Sequence, residues 1–316
     1  MKKAGGITAP LLLIMAMLCL IIFQRVLFNL DTIRYTAEYG SGYYIIYNGE
    51  RYIPDRFFVL VFTMRMVAFI LPALVYIQLF KSEGYLKKEL NFLKLPELKH
   101  TPLIFYGLGA LIFGTALLKS LIYYVSGSSV LRAPVIDAGG NPVYDISVMV
   151  VFIFVPAVCE ELLFRSIMLK EYERYGAACA CVISSAAFAM LRFSLVLFPV
   201  YFFAGIILFG ISKASGSILF AVIAHAGYSF FNIYIWTRLS VVLSFEQNRF
   251  IFSFLAAVIF VICMIALLNK TEKIYYYKTY SNVSEPESAA DRLPAFKALS
   301  PTFIAAAIIY FIGVNT

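Results

Sequence analysis

Long apolar stretches, separated by short polar segments, dominate the hydrophobic pattern of the chain. A helix needs about 20 apolar residues to cross the hydrocarbon core of a bilayer. Eight long apolar stretches are present, and most of them reach this length, at residues 7–28, 57–80, 102–125, 146–169, 177–191, 193–211, 217–236 and 250–268. The stretch 301–314 is shorter and predicts a ninth helix or an interfacial segment. The pattern therefore predicts an all-α polytopic membrane protein with about eight transmembrane helices and possibly a short ninth.

A different pattern follows the first apolar stretch. Tyrosine and isoleucine side chains flank Asn48-Gly49 within residues 43–53. Asn-Gly between two runs of β-forming residues is the strongest short signal for a hairpin. We therefore expect a small β-hairpin outside the cytoplasm, where its tyrosines would suit the headgroup zone of the membrane.

The composition supports an integral membrane protein and argues against a nucleic-acid-binding one. Of the 316 residues, 62% are hydrophobic and 14% are charged, which is too little polar surface to cover a soluble globule. The net charge is +8, but the basic residues lie in short loops rather than on one face. More of them lie in loops on the same side of the membrane as the N-terminus than in loops on the other side. This bias predicts a multi-pass plasma membrane protein with a cytoplasmic N-terminus. From composition and charge, the expected partner is the lipid bilayer, and no nucleic acid is expected to bind.

The same pattern divides the chain into four parts. Residues 1–145 hold the first three helices and their loops, residues 146–236 form the core, and residues 237–268 hold the eighth helix. Residues 269–316 are expected to form a cytoplasmic tail that contains the short C-terminal apolar stretch. All five cysteines lie within apolar stretches, so neither a disulfide framework nor a thiolate metal site is indicated.

Two adjacent carboxylates and an arginine lie inside the fourth apolar stretch. A carboxylate at the centre of a membrane helix costs roughly 2.5–3.5 kcal/mol on insertion scales. Glu161 and Arg165 are four residues apart and can pair on one helix face. Glu160 points about 100 degrees away from Glu161 around the helix, and no basic residue lies three or four positions from it. Glu160 is therefore either a functional carboxylate or a structural group with access to water.

Charged and titratable residues also lie in other apolar stretches. His225 in the seventh stretch and Glu160 in the fourth are each about 13–15 Å from the inner boundary of the membrane, counting 1.5 Å per helical residue. This agreement in depth predicts that they share a polar cavity. Lys119 lies near the outer end of the third stretch, where its side chain is expected to reach the interface by snorkelling.

Over residues 146–232 the sequence resembles the CPBP family, which includes CAAX proteases and bacteriocin-processing or immunity proteins of the Abi type. The resemblance rests on Glu160-Glu161-x-x-x-Arg165, which fits the first family motif completely. The family implies an intramembrane fold of about eight helices and cleavage of peptide bonds, with a carboxylate that activates water. Its other two motifs are Phe-x-x-x-His and His-x-x-x-Asn.

The second and third motifs depart from the family pattern. Phe188 fits the second motif, but Arg192 stands in place of its histidine. His225 fits the third motif, whereas Ser229 replaces its asparagine and Asn232 follows three residues later. A guanidinium offers no lone pair to a metal ion. We therefore expect an ion pair between Arg192 and Glu160, and no native metal site, with Glu160 and His225 as the residual ligands.

The resemblance implies a candidate site and leaves two functions open. The catalytic candidates are Glu160, Glu161, Arg165, Arg192 and His225, and the expected substrate cavity is lined by Phe164, Phe188, Ser229 and Asn232. In one interpretation the chain is an endopeptidase, CAAX-processing-like or serving bacteriocin self-immunity, with Glu160 as general base. In the other it is an inactive pseudoprotease that binds a peptide or membrane partner in the same cavity.

The substrate or partner implied by either interpretation is a peptide or a prenylated peptide. No cofactor is expected, and zinc would bind only if the family site survives. A transporter is a third alternative, since buried charges also mark ion paths, but no pair of broken, symmetry-related spans is evident.

Overall fold

Helices make up almost all of the structure, a computed structural model. It describes residues 8–28, 34–35, 43–47, 50–52, 55–80, 97–127, 142–236, 239, 246–281 and 298–314. Within these ranges the helices are α1 (Ala9–Phe28), α2 (Asp55–Phe80), α3 (Pro102–Ser126), α4 (residues 142–175), α5 (Ala177–Met190), α6 (Phe198–Ser215), α7 (Ile218–Ile235), α8 (Glu246–Ser281) and α9 (Pro301–Val314), besides a short 3-10 turn at Leu98–His100.

Six of the described helices are long and apolar enough to cross a membrane, namely α2, α3, α4, α6, α7 and α8. Helices α5 and α9 and the apolar part of α1 (Ala9–Phe23) are shorter. The protein is therefore an integral membrane protein of helical construction. Helix α5 is short because the chain leaves the helix after Met190 and the next helix begins only at Phe198.

Three short strands lie between α1 and α2. They are β1 (Arg34–Tyr35), β2 (Tyr43–Tyr47) and β3 (Glu50–Tyr52). They form an antiparallel sheet in the order β1-β2-β3, and β2 pairs with β3 so that Tyr47 faces Glu50. The connecting residues 48–49 lie outside the described ranges.

Helix α4 is the central element and is not a uniform α-helix. It consists of consecutive segments in which π-helical turns at Met149–Phe154 and Leu162–Met168 flank the α-helical segment Val155–Glu161. Pro156 lies inside α4, directly after the first π-helical segment, where a proline cannot donate the backbone hydrogen bond of a regular helix. π-Helical turns inside α-helices often occur at functional sites, and here they lie on both sides of the two glutamates.

The N-terminus of α1 is held by a carboxylate from α4. Glu171 accepts hydrogen bonds from the backbone N–H groups of Thr8 at 2.6 Å and Ala9 at 2.8 Å, and from the Tyr76 hydroxyl at 2.7 Å. The first N–H groups of a helix have no partner within it and carry a partial positive charge. Glu171 therefore caps α1 and ties it to α2 and α4.

The remaining helices pack around this centre. α7 contacts α3, α4 and α6, α5 packs against α6, and α8 packs mainly on α3. The C-terminal helix α9 packs against α1. It also reaches the turn after α5, where the Tyr310 ring lies 6.4 Å from the Phe193 ring and 6.0 Å from the Phe198 ring.

Two helix boundaries differ from the sequence prediction. The sixth helix begins at Phe198 rather than at 193, because residues 191–197 form a turn and Pro199 favours the first helical turn. The eighth helix continues to Ser281 rather than ending at 268. Residues 269–281 are polar, but they contain neither glycine nor proline, so a helix can continue into them beyond the apolar stretch.

Candidate active site within the membrane helices

Glu161 and Arg165 form a fully buried ion pair on α4. Arg165 Nε donates to Glu161 Oε2 at 3.0 Å, and both side chains have an exposure of 0%. The rest of the guanidinium is also bonded, with Nη1 3.3 Å from Ser184 Oγ and Nη2 3.0 Å from the carbonyl oxygen of Gly205. Arg165 therefore joins α4 to α5 and α6 while it holds Glu161 in place.

Gly205 allows the close approach that this bond requires. A Cβ atom at Gly205 would lie 2.8 Å from the backbone Cα of Ser185. Real side chains do not tolerate such a contact, so only glycine lets α5 and α6 meet here. The small residue at position 205 thus brings α5 and α6 close enough for Arg165 to donate to the Gly205 carbonyl oxygen.

Glu160 is bound by Arg192, as the sequence predicted. Arg192 Nη2 donates to Glu160 Oε2 at 2.6 Å, and the two side chains have exposures of 12% and 2%. Arg192 lies in the turn that follows α5, and its guanidinium also faces the rings of Phe188 and Tyr201 at 5.4 and 5.2 Å. Because both groups are buried, removal of either one alone would leave the other charge without its partner at low dielectric.

The backbone of this turn is unusual. Phe193 has φ +46°, the one positive φ at a non-glycine position in the described part of the chain. A phenylalanine in the left-handed region is uncommon and costs about 1 kcal/mol or more. The stacking of Phe193 on Tyr310, together with the close fit of its ring against Gly313 of α9, offsets this cost.

His225 lies beside both glutamates, and its closeness to Glu160 agrees with the shared polar cavity predicted from their depth. Nδ1 lies 3.1 Å from Glu161 Oε1, whereas Nε2 lies 3.9 Å from Glu160 Oε2. The sequence did not show that Glu161 is the nearer partner, because helical counting gives position along the membrane normal and not rotation about the helix axis. An ionised carboxylate only accepts hydrogen bonds, so the contact with Glu161 assigns a proton to Nδ1. Nε2 then carries no proton and faces Glu160.

Phe164 and Phe188 are packed side chains rather than the lining of an open cavity. They are 0% and 2% exposed, and their ring centroids lie 5.6 Å apart in an edge-to-face contact. Phe188 also contacts the His225 ring edge-to-face at 5.5 Å. The two phenylalanines therefore form an apolar wall that keeps the charged groups close together in a low-dielectric setting.

The two remaining candidates lie further along α7. Ser229 is half-buried one turn beyond His225. Asn232 lies another turn on, where its Oδ1 accepts from Lys119 Nζ at 3.0 Å and its Nδ2 donates to the Tyr228 carbonyl at 2.9 Å. Asn232 is thus hydrogen-bonded to a lysine of α3.

Two basic residues inside the membrane helices were not among the predicted site residues. Arg65 of α2 is 4% exposed, and its guanidinium lies 5.8 Å from the ring centroid of Phe152 in α4. Lys119 of α3, for which snorkelling was predicted, donates to Asn232 Oδ1 at 3.0 Å. The sequence signal in both cases is a positive charge within an apolar stretch, and only the packing shows which way each side chain points.

The residues present do not fit a catalytic zinc site. Within the described ranges, no group of three or more His, Cys, Asp and Glu side chains is arranged to hold a metal ion. Glu160 Oε2 is bound by Arg192, whose charge repels a cation, and His225 Nδ1 is bonded to Glu161. A catalytic zinc site typically has three protein ligands and an open position.

Comparison with protein families supports the resemblance seen in the motifs. Residues 142–231 match the family model described as type II CAAX prenyl endopeptidase Rce1-like. No curated protein and no solved structure matches the chain. The matched residues run from the start of α4 into α7 and include Glu160, Glu161, Arg165, Arg192 and His225. Over residues 142–231 the chain is thus similar to a family of CAAX prenyl endopeptidases, in agreement with the resemblance carried by its motifs.

Proposed function

We propose that the protein is an intramembrane endopeptidase that hydrolyses a peptide bond, with Glu160 as the general base. The observation that carries the proposal is the position of the Glu160 carboxylate, 2.6 Å from Arg192 and 3.9 Å from His225. A carboxylate, a guanidinium and an imidazole have converged at a depth where each charge is costly. The match of residues 142–231 to a prenyl endopeptidase family points to the same reaction class.

The proposed reaction uses the ion pair in its first step. Glu160 takes a proton from a water molecule as the water oxygen attacks the substrate carbonyl. The negative charge then moves from the carboxylate to the carbonyl oxygen. Arg192 loses its anionic partner at that moment and donates to the new oxyanion, which is the kind of preorganised stabilisation that contributes most in a buried site.

The second step returns the proton. The tetrahedral intermediate collapses, the C–N bond breaks, and protonated Glu160 gives its proton to the leaving amine. Arg192 then pairs again with the ionised carboxylate. Glu160 acts as base and then as acid, so no further proton donor is needed.

Glu161, Arg165 and His225 have supporting roles in this proposal. Arg165 holds Glu161, and Glu161 holds the His225 ring through Nδ1. The Nε2 atom that faces Glu160 accepts a hydrogen bond from the attacking water and so orients it. This chain of contacts resembles the logic by which a carboxylate fixes the tautomer of a catalytic histidine.

A second candidate function is that of an inactive pseudoprotease that binds a peptide or a membrane partner. The 2.6 Å bond between Arg192 and Glu160 favours it, because a base that is already paired with a guanidinium is a weaker base. In both candidates the ligand is a peptide or a prenylated peptide that enters from the bilayer. For either function we propose a plasma membrane location with a cytoplasmic N-terminus.

A cleavage assay in lipid nanodiscs tests the proposal. Prenylated and unprenylated peptides are incubated with the wild type, with Glu160→Gln and with Glu173→Gln. Glu173 pairs with Lys213 in a half-exposed salt bridge and serves as the matched carboxylate control. We expect cleavage by the wild type and the control, and a loss of at least 100-fold in Glu160→Gln, in keeping with general base catalysis.

Two outcomes contradict the proposal in different ways. Equal cleavage by the wild type and Glu160→Gln would remove Glu160 as the base. Binding of a peptide without cleavage by any form would favour the pseudoprotease.

A further inference from the structure

The C-terminal helix α9 reaches the turn that carries Arg192, although it lies far from that turn in the sequence. The ring of Phe193, the residue after Arg192, is 5% exposed. It stacks on the Tyr310 ring with a centroid distance of 6.4 Å and an angle of 21° between the ring planes. Helix α9 lies outside residues 142–231, the part of the chain that matches the endopeptidase family model. A helix from outside the matched region therefore packs directly beside a candidate catalytic residue.

Gly313 makes room for the Phe193 ring on α9. Tyr310 and Gly313 are three residues apart and share one face of the helix. A Cβ atom at Gly313 would lie 2.5 Å from Cε1 of Phe193 and 3.2 Å from Cδ1 of Ile21 in α1. The absence of a side chain at position 313 thus leaves a notch, bordered by α1, and the Phe193 ring fills it. A side chain at position 313 would force the ring to move.

The contact with α9 holds an unfavourable backbone conformation next to Arg192. Phe193 has φ +46°, and a phenylalanine stays in the left-handed region only when its surroundings hold it there. Arg192 and Phe193 share a peptide bond, and their N–H groups donate back to α5, to the carbonyl oxygens of Ala189 and Met190 at 3.1 Å. If the ring leaves the notch, Phe193 is free to return to a negative φ, and the backbone of Arg192 moves with it.

The bond between Arg192 and Glu160 tolerates little movement. Arg192 Nη2 lies 2.6 Å from Glu160 Oε2. A shift of about 1 Å away from the carboxylate gives about 3.6 Å, which is too long for a hydrogen bond. In enzymes a misplacement of that size costs up to about 100-fold in rate. The rate of the proposed reaction therefore depends on where the turn holds the guanidinium.

The support for α9 leads back to the helix that carries Glu160. Helix α9 packs against α1, and Glu171 of α4 accepts from the backbone N–H groups of Thr8 and Ala9 at the start of α1. Helices α4, α1 and α9 and the turn with Arg192 thus form a closed series of contacts. The bond between Arg192 and Glu160 completes this series. Packing along the series therefore sets the two charged groups relative to each other.

We propose that α9 holds Arg192 against Glu160, and that Tyr310 and Gly313 are positioning residues that act through the Phe193 ring. They keep the guanidinium at the place where the oxyanion forms. The Tyr310 hydroxyl has no hydrogen-bond partner within the described ranges, so the ring and not the hydroxyl supplies the contact. Because Arg192 stabilises an oxyanion only in the proposed endopeptidase reaction, this role rests on that proposed function.

Unfolding measurements test the positioning without any cleavage. The energetic coupling between Glu160 and Arg192 is measured with Glu160→Gln and Arg192→Met, singly and together, in the wild type and in four variants. Gly313→Ala fills the notch, and Tyr310→Leu removes the aromatic ring but keeps apolar volume. Tyr310→Phe keeps the ring. Gly210→Ala is the matched control for an added Cβ, with nothing within 4 Å of it.

The expected result is a loss of coupling that follows the Phe193 contact. In Gly313→Ala and in Tyr310→Leu, the effects of the two active-site changes on the unfolding constant should multiply to within about twofold. In Tyr310→Phe and Gly210→Ala they should depart from multiplication by about 100-fold or more, as in the wild type. Wild-type coupling in Gly313→Ala or in Tyr310→Leu would overturn the inference. A loss of coupling in either control would also overturn it, because the effect would then be a general one.

Cleavage kinetics separate positioning from a general loss of stability. Gly313→Ala and Tyr310→Leu should lower kcat about 10- to 100-fold with KM unchanged to within about twofold, since the guanidinium acts in the transition state. In an Arg192→Met background the same changes should have no further effect on kcat. A loss that multiplies with the loss in Arg192→Met would overturn the inference. If the wild type cleaves no peptide, the proposed function fails, and the coupling measurement alone decides whether α9 positions Arg192.

Discussion

The ion pair between Glu160 and Arg192 allows a quantitative test by a double-mutant cycle. Arg192→Met removes the guanidinium but keeps an apolar side chain of similar length, and Glu160→Gln removes the charge but keeps the shape. The two changes are made singly and together. Because the two side chains touch directly at 2.6 Å, their effects on the free energy of unfolding should not add.

The expected magnitude follows from the burial of each partner. Glu160 is 2% exposed, so Arg192→Met leaves a buried carboxylate without its guanidinium and costs about 3–5 kcal/mol. Glu160→Gln costs less, about 1–2 kcal/mol, because Arg192 is 12% exposed and still faces two aromatic rings.

The double variant replaces the pair by two uncharged groups, and replacing a buried pair in this way is often close to neutral. With a cost of about 1 kcal/mol for the double variant, the two single costs exceed the double cost by about 3–6 kcal/mol, which is the expected coupling free energy. The assay is reversible unfolding in mixed micelles of mild and denaturing detergent, followed by circular dichroism.

A matched cycle on Lys213 and Glu173 provides the control. That pair is about one-third exposed on each side, so a coupling of about 0–1 kcal/mol is expected. If the Glu160 and Arg192 cycle is additive within about 0.5 kcal/mol, the pair does not form in the protein, and the description of the site is wrong.

Three further predictions concern the metal, the helix packing and the topology. The native protein should bind no stoichiometric zinc, whereas Arg192→His combined with Ser229→Asn should bind it, as measured by elemental analysis; zinc in the wild type or none in the double variant would refute this view of Arg192. Gly205→Ala should lower stability by about 1–3 kcal/mol through overpacking against α5, while Gly210→Ala, with nothing within 4 Å of the added Cβ, should be neutral or slightly stabilising in thermal unfolding. In a cysteine-free background, Asn48→Cys should react with an impermeant maleimide from outside intact cells, and reaction only after permeabilisation would reverse the predicted orientation.

The apolar pattern was sufficient to predict the helical membrane class because a bilayer accepts few other structures. Each membrane-spanning segment must satisfy its backbone internally, so a long apolar stretch is a helix almost by necessity. The pattern was less informative at the ends of helices. The start of α6 at Phe198 depends on the turn that carries Arg192, and the end of α8 at Ser281 depends on local helix propensity beyond the apolar stretch.

Part of the candidate site could also be predicted from the sequence. Glu161 with Arg165 is a local pair, four residues apart on one helix, and local spacing predicts it. The bond between Glu160 and Arg192 was inferred from the absence of a nearer basic partner and from the resemblance to a family. Both inferences use the free-energy cost of placing a charged residue in a membrane helix. The sequence shows where this cost arises, because the charged residues stand within apolar stretches.

The sequence by itself thus determined the membrane class, the helix-forming stretches and the expensive charges that needed partners. Tertiary structure alone decided which partners they found. It brought His225 Nδ1 to Glu161, Asn232 to Lys119, and the Trp236 ring to 4.9 Å from the Lys119 ammonium. The physical reason is that counting residues gives depth along a helix, whereas contact between helices depends on their rotation and on close packing at positions such as Gly205.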